Sequence, residues 1–240
     1  MIIEGKDIYF ADLNKAIKQA DASEVTVNNI IGQRYIGSGV QGKNLILHGT
    51  PGNALGAYLD NCNITVYGNV QDAVGDTMNN GEIIVHGNGG DTLGYAMRGG
   101  VIYVKGNGGY RVGIHMKEYQ ENKPVLVVGG RVGSFLGEYQ AGGILVVLGL
   151  GVDNSFPTGN YCGTGMHGGV MYIRSDVPPQ NPLPHLLIRE CAREDLTEIQ
   201  PFIKNYCSYF NILEADIFNK PFYKITPGGG NHYNTIYAHN

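Results

Sequence analysis

The sequence contains no tryptophan, no long apolar run and little charge of either sign. A membrane-spanning helix needs about 18 or more consecutive apolar residues, and no run in this chain approaches that length. The N-terminus MIIEGKDIYF lacks the basic start and the small-residue cleavage site of a signal peptide. With 16% charged residues and a net charge of −4, no basic surface for nucleic acid is indicated. We therefore expect a cytoplasmic protein that binds neither membranes nor nucleic acid.

Cysteine is scarce and irregularly spaced. The four cysteines are Cys62, Cys162, Cys191 and Cys207, and no two of them form a C-x-x-C pair. This spacing argues against zinc or iron–sulfur ligation by the chain. Reduced thiols are the simplest interpretation for a cytoplasmic protein.

Glycine, by contrast, is abundant and periodic. The chain has 37 glycines among 240 residues, about twice the ordinary usage. One set marks a repeat whose first four steps are 19 residues long and whose last two are longer: Gly37, Gly56, Gly75, Gly94, Gly113, Gly137 and Gly163. A second set follows at an offset of 12 residues, if four residues are inserted around residues 119–123: Gly49, Gly68, Gly87, Gly106, Gly129 and Gly149. The chain therefore contains an internal repeat.

Apolar residues recur in the same phase as these glycines. Two columns lie two residues apart, which is the spacing of side chains on one face of a strand. The first column is Leu45, Ile64, Ile83, Ile102, Val125, Leu145 and Met171. The second is Leu47, Val66, Val85, Val104, Val127, Val147 and Ile173. We expect both columns to face a shared interior.

The position between these columns should face outward, yet it is also mostly apolar. It is occupied by Ile46, Thr65, Ile84, Tyr103, Leu126, Val146 and Tyr172. The next outward column changes from polar to apolar along the chain: His48, Tyr67, His86, Lys105, Val128, Leu148 and Arg174. Strands that are apolar on both faces are usually covered. We expect the C-terminal segment, a partner subunit or a second copy of the chain to pack on this flank.

These patterns predict an all-β fold, a single-stranded parallel, right-handed β-helix solenoid of about seven coils over residues 32–175. Residues 1–31 should form an N-terminal cap, with a helix at 12–20 whose N-cap is Asp12, followed by a strand at EVTV. Residues 176–240 should form a proline-rich linker and a C-terminal tail. In that tail we expect a strand at HLLIREC, a helix over 196–213 that starts near Thr197, and an extended end, TPGGGNHYNTIYAHN.

Two glycine motifs imitate ligand sites. GSGVQGKN, residues 37–44, satisfies G-x-G-x-x-G and begins like a phosphate loop. Such loops require a helix N-terminus after them, whereas strand-like NLILHG follows. GNGGDTLG, residues 87–94, resembles the calcium nonapeptide, but that motif repeats every nine residues. Neither stretch is predicted to bind its ligand.

Three polar constellations are candidate sites. Asp72 and Asp91 on neighbouring coils could support acid–base chemistry, but Asn and Asp also cap turns. His48 and His86 lie two coils apart, too far to share a metal, with Tyr67 between them. Cys162 and His167 could form a thiol–imidazole pair, although Cys162 falls in an inward column. We therefore predict no catalytic, cofactor-binding or metal-binding residue in the chain.

Two stretches carry a resemblance to a known family. GNVQDAVGDTMNNGEIIVHGNGGDTLGYAMRGGVIYVKG and VGSFLGEYQAGGILVVLG resemble the GXGXG domain, the C-terminal β-helix of the glutamate synthase large subunit. The similarity covers Arg34 to Arg174 and includes the coil number, the phase and the late insertions. A related domain forms one of the subunits of formylmethanofuran dehydrogenase.

The resemblance implies a structural subunit of a split glutamate synthase-like complex, which would make glutamate from glutamine and 2-oxoglutarate. A cysteine-dependent glutaminase and subunits carrying FMN and an iron–sulfur cluster would then be the partners, with no cofactor in this chain. The alternative is the β-helical scaffold of a formylmethanofuran dehydrogenase-type complex. A further alternative is a free-standing β-helix with its own acid-dependent or ligand-binding activity at Asp72 and Asp91. Self-association through the apolar flank is compatible with each.

Overall fold

The computed structural model describes residues 1–228, and its centre is one open sheet of eleven strands. The strands are β1 (Ile2–Glu4), β2 (Glu24–Ile31), β3 (Asn44–Thr50), β4 (Cys62–Tyr67), β5 (Gly81–Val85), β6 (Val101–Val104), β7 (Val125–Val128), β8 (Ala141–Val147), β9 (Gly168–Arg174), β10 (Leu186–Glu190) and β11 (Phe222–Pro227). The helices are α1 (Phe10–Gln19), α2 (Gln200–Phe210) and α3 (Glu214–Ile217), with a 3-10 helix at Arg193–Glu198.

Strands β1 to β9 are parallel and adjacent in chain order, as in a solenoid. Leu45 pairs with Ile64 and Ile64 with Ile83, so each of these strands lies one 19-residue step above the last. Apart from Val125 and Val127, the side chains of both columns are buried in a continuous apolar interior. The expectation of an all-β, mostly parallel, solenoid-like fold is thereby confirmed. The count of seven coils, the right-handed winding and the three-part division of the chain stay predictions.

The predicted register is wrong at β7. Leu126 pairs with Ile102 and Val128 with Val104, and both side chains belong to the interior. Val125 and Val127 instead face the outer flank. The insertion before β7 is therefore five residues rather than four. A shift of one residue exchanges the two faces of a strand, so Leu126 and Val128 are not outward residues.

The apolar flank is covered by α2, which confirms that the C-terminal segment packs there. Ile203, Tyr206 and Phe210 of α2 join Tyr103 and Tyr172 in a second buried cluster. The Tyr206 hydroxyl donates to the carbonyl of Lys105 at 3.0 Å, which fixes the helix to the sheet.

The N-terminal helix differs from its predicted bounds. It begins at Phe10, with Tyr9 in an extended conformation at the N-cap. The N–H of Asp12 donates to the carbonyl of Tyr9 at 3.0 Å, so Asp12 already lies in the first turn and is not the cap. Leu13 and Ile17 bury the inner face of the helix against the end of the solenoid.

The C-terminal helix predicted over 196–213 is divided. The 3-10 helix ends at Glu198 and α2 begins at Gln200, with Pro201 in its first turn, where a missing N–H costs nothing. It ends at Phe210 because Asn211 is left-handed. The strand predicted at HLLIREC is β10. The predicted extended end begins inside β11, and its residues after 228 lie outside the described residues.

The helices are short, and the longest, α2, has 11 residues. Within residues 1–228, none combines the length and the apolarity that crossing a membrane requires.

Candidate functional site

Polar side chains at the coil corners join each coil to the next. Asn69, Asn88 and Asn107 each accept, through Oδ1, the backbone N–H of the residue one coil further on, at 2.8–2.9 Å. These exposed asparagines form a continuous ladder along the solenoid. The amide oxygens of these side chains therefore hold neighbouring coils together.

The two acids considered for catalysis belong to a second ladder of the same kind. Asp72 Oδ1 accepts the backbone N–H of Asp91 at 2.9 Å, and Asp91 Oδ1 accepts that of Tyr110 at 2.8 Å. Asn53 stands one coil earlier and accepts from Asp72 N at 3.4 Å. A carboxylate in this position does what the asparagine amide oxygen does, so the geometry favours stacking over proton transfer.

We expect Asp72→Asn to leave the free energy of unfolding within about 0.5 kcal/mol of wild type, because Asn keeps the accepting oxygen. Asp72→Ala should lower it by about 1 kcal/mol, because the N–H of Asp91 loses its partner. Urea denaturation of both variants measures the difference. Equal destabilisation by Asn and Ala would show that the charge, rather than the acceptor, is needed.

His48, Tyr67 and His86 form an aromatic stack on the outer face. The ring centroids of His48 and Tyr67 lie 5.1 Å apart, and those of Tyr67 and His86 lie 4.5 Å apart. The edge of Phe210 from α2 closes the stack at 5.2 Å from His86. Burial, followed by the positive charge of Lys105, lowers the pKa of His86. His86 therefore packs beneath α2, and His48 extends the stack at its exposed end.

The lowered pKa of His86 predicts a pH dependence of stability. His86 binds a proton more tightly in the unfolded chain, where a histidine has a pKa of about 6.5. Stability should therefore be complete above that pH and fall as the pH drops below it. Thermal unfolding between pH 7 and pH 5 should show a smaller loss for His86→Phe than for wild type. The same comparison for His48→Phe controls for removing an imidazole from the stack, and identical slopes for wild type and His86→Phe would refute the prediction.

The proposed thiol–imidazole pair is not built as one. The Sγ of Cys162 lies 3.7 Å from the Sδ of Met171, and burial raises the pKa of Cys162 to about 12. The Nδ1 of His167 lies 3.1 Å from the carbonyl oxygen of Gly165. This shift favours the protonated thiol, whereas the nucleophilic form of cysteine is the thiolate. Across residues 1–228, no three His, Cys, Asp or Glu side chains converge in a metal-binding group.

The GSGVQGKN stretch forms a corner that leads into a strand. Gly37, Gly39 and Gly42 are all left-handed, and β3 begins at Asn44, where a phosphate loop would need a helix. The Nζ of Lys43 donates to the carbonyls of Ala20 and Ala22. The lysine that would face a phosphate thus binds the end of the N-terminal cap.

Exposed tyrosines occupy corner positions whose backbone disfavours them. Tyr35, Tyr58, Tyr139 and Tyr161 have φ between 51° and 59°, and each is at least 38% exposed. A bulky residue in this region costs about 1 kcal/mol or more relative to glycine. The glycines of the sequence indicate the corners, but no sequence signal shows that tyrosines share the same conformation.

A cleft at the C-terminal end of the solenoid is a second feature that the sequence does not indicate. It has a volume of about 580 Å³ and lies between the loop before β9 and the proline-rich linker. Phe156, Leu186, Ile188 and Ile225 supply apolar walls, and Asn160 lies among the polar residues of the lining. Among the described residues that line it, none carries a charge. The prolines predict the linker, but no sequence pattern predicts that the linker folds back over the last coil.

Comparison with known proteins finds similarity over most of the chain. The family described as GXGXG motif matches residues 11–227. An uncharacterized protein from Methanocaldococcus jannaschii is 43% identical over 230 residues, which cover 92% of this chain and 88% of that protein. Among solved structures, a chain of the formyltransferase/hydrolase complex from Methylorubrum extorquens, in complex with methylofuran, aligns with a TM-score of 0.64 and 16% identity. That alignment covers 94% of this chain and 95% of the other, and it shows a shared fold.

The family match extends beyond the region from Arg34 to Arg174 that carries the sequence resemblance. It includes α1 from its second residue, α2 and β11. The two ends of the chain lack the 19-residue period on which the resemblance from Arg34 to Arg174 rests.

Proposed function

The chain belongs to the GXGXG-motif family, and from this premise we propose that it is a structural subunit of a multi-subunit enzyme complex, with catalysis on partner chains. The observation that carries the proposal is the set of exposed corner tyrosines near the two ends of the solenoid. Tyrosine is enriched at protein interfaces, and these tyrosines occupy left-handed positions that the backbone of a bulky residue disfavours. We infer that the rings of Tyr35, Tyr58 and Tyr161 contact partner subunits.

The fate of the other polar groups supports the same role. Asp72 and Asp91 accept backbone N–H groups, and His86 packs under α2. A stack held by such ladders is stiff along its length, because each coil is bonded to the next. A stiff rod with aromatic corners suits the positioning of other subunits.

For the type of complex, we favour a formylmethanofuran dehydrogenase-type assembly in which this chain is the β-helical scaffold. Support comes from the fold shared with a chain of the formyltransferase/hydrolase complex over nearly the full length of both chains. Molybdopterin-carrying and formyl-transferring subunits would then be its partners.

A split glutamate synthase-like complex is the second candidate. The coils between Arg34 and Arg174 carry the sequence resemblance to the β-helix of that enzyme, in phase and with the same late insertions. In this case the partners would be a glutaminase and subunits holding FMN and an iron–sulfur cluster.

Purification of the chain at native levels from its own host separates these candidates. We expect it to co-purify with enzyme subunits, identified by mass spectrometry. Molybdopterin fluorescence in the complex would support the first type, and an FMN absorbance spectrum with glutaminase activity would support the second. A chain that runs alone as a monomer would contradict the scaffold role.

The double change Tyr35→Gly and Tyr58→Gly tests the corner tyrosines. In the isolated chain we expect the free energy of unfolding to stay within about 1 kcal/mol of wild type, because glycine relieves the left-handed backbone. Recovery of partner subunits should fall about tenfold or more, because aromatic interface anchors are lost. Tyr119→Ala, an exposed tyrosine in the insertion before β7, is the control and should retain the partners. Full recovery with the double variant would refute the role of these rings.

A further inference from the structure

We propose that the free edge of β10 receives an extended segment of a partner chain as an additional strand of the sheet. This inference rests on the proposed function, because it names how one partner is held. The site lies at the end of the solenoid, beside the uncharged cleft.

The antiparallel pairing leaves main-chain groups of β10 directed away from β11. The N–H of Gly228 donates to the carbonyl of His185, and the N–H of Cys191 donates to that of Phe222. Odd-numbered residues of β10 therefore bond to β11, and even-numbered residues point to the opposite side. In the described part of the chain, no strand lies on that side. The N–H and carbonyl of Ile188 and the N–H of Glu190 are thus available to a further strand.

Depressions lie beside both faces of this edge. Leu186 and Ile188 line the cleft of about 580 Å³. Leu187 and Arg189 point to the opposite face. They line a smaller depression of about 280 Å³ together with Ile188, Lys224 and Thr226. Successive side chains of an added strand point to opposite faces, so each depression would receive alternate side chains. An edge flanked in this way fits recognition by strand addition.

The two depressions differ in charge, and this difference defines the segment. The cleft has apolar walls and amide groups, with no charged residue among those described. On the other face, Arg189 and Lys224 both contact Asp195, at 2.5 and 3.5 Å. The charge of Lys224 also acts on Glu198, which pairs with Lys123 at 2.7 Å. Three cations therefore face two carboxylates, which leaves one positive charge in excess. The complementary segment is extended, with apolar or amide side chains towards the cleft and an acidic side chain towards Arg189 and Lys224.

The exposure of Leu187 in β10 supports the addition of a strand from a partner chain. Leu187 is 61% exposed, although it lies within a regular strand. Natural edge strands are usually shielded by charge, proline or a covering element. A partner strand would shield Leu187 and satisfy the open main-chain groups in one step.

Hydrogen exchange on the full chain measures the edge directly. In the isolated chain, the amides of Ile188 and Glu190 should exchange freely, while those of Leu187 and Arg189 stay protected by β11. A blocked octapeptide of alternating valine and glutamate should protect Ile188 and Glu190, and a valine–lysine octapeptide should bind about tenfold more weakly. Protection of Ile188 in the isolated chain would overturn the proposal, because residues 229–240 or a second copy would then hold the edge. Equal binding of the two peptides, or no binding of either, would also overturn it.

A proline at the edge supplies the matched variant. Ile188→Pro removes an N–H that points away from β11, so β10 keeps its ladder, whereas Ile188→Val keeps the donor. We expect the proline variant, but not the valine variant, to lose peptide binding about tenfold and to lose a partner subunit in native purification. If the proline variant keeps every partner, the strand proposal is wrong while the scaffold role stands. If the wild-type chain purifies alone, the scaffold role fails, and the peptide measurement still decides whether the edge accepts a strand.

Discussion

Gly129→Ala is expected to lower the free energy of unfolding by more than about 3 kcal/mol, at the upper end of single substitutions. A Cβ at Gly129 would overlap the hydroxyl of Tyr206 and the carbonyl oxygen of Lys105. The first contact holds α2 on the sheet, and the second belongs to the backbone of the preceding coil. Neither neighbour can withdraw without opening the stack or releasing the helix.

Gly39→Ala is the control, because it introduces backbone strain without crowding. Gly39 has φ of +60°, and a Cβ there meets nothing within 4 Å. Alanine should therefore cost only about 1 kcal/mol, the penalty of the left-handed region. Denaturant midpoints of both variants give the comparison. In a Tyr206→Phe background the cost of Gly129→Ala should persist, because the contact with Lys105 remains. A smaller loss for Gly129→Ala than for Gly39→Ala would contradict this account.

Replacing Arg174 is expected to have the second large effect. Its guanidinium is buried and donates to the carbonyls of Ile217, Leu148 and Asp216 and to Oδ1 of Asn219, at 2.6–3.0 Å. Arg174→Met removes every donor and leaves these acceptors unpaired. We expect a loss of about 3–4 kcal/mol, as for other broken buried hydrogen-bond networks.

The loss of stability should appear first at α3, where two of the hydrogen bonds of Arg174 end. Hydrogen exchange should increase around α3, while β3 to β5 stay protected, because Arg174 joins the C-terminal elements to the end of the solenoid. Arg174→Lys should recover only part of the stability, since one ammonium cannot reproduce the planar fork. The exposed Arg98 is the control, and Arg98→Met should stay within about 0.5 kcal/mol of wild type. Unchanged exchange at α3 in Arg174→Met would refute the anchoring role.

The repeat could be predicted because glycines and apolar residues recur together. The prediction failed at β7 for a physical reason. The segment PVLVV is apolar at four successive positions, Val125 to Val128, and all four side chains are buried. Without alternation, the sequence does not show which residues face inward. Only the hydrogen-bonded register after the insertion decides it.

The candidate interface was less accessible to sequence reasoning. Strand β11 lies between β9 and β10, although it follows β9 only after the linker, β10 and the C-terminal helices. Such a pairing follows from tertiary packing of the end elements and leaves no local pattern. The left-handed conformation of the tyrosines could not be predicted for a local reason. Propensity favours glycine in that conformation, and Tyr35 and Tyr58 adopt it although they are not glycines.

The stacking of β3 on β4 and β4 on β5 also bears on how fast the chain folds. Each such pairing joins residues 19 positions apart, which in a chain of 240 residues corresponds to a relative contact order on the order of 0.08. That value is typical of helical bundles, whereas sheet proteins usually rely on distant pairings. Growth from any coil can proceed by adding its neighbour. The slow step should therefore be closure of the β9–β11 pairing, because these two strands are further apart in sequence than any other paired strands of the sheet.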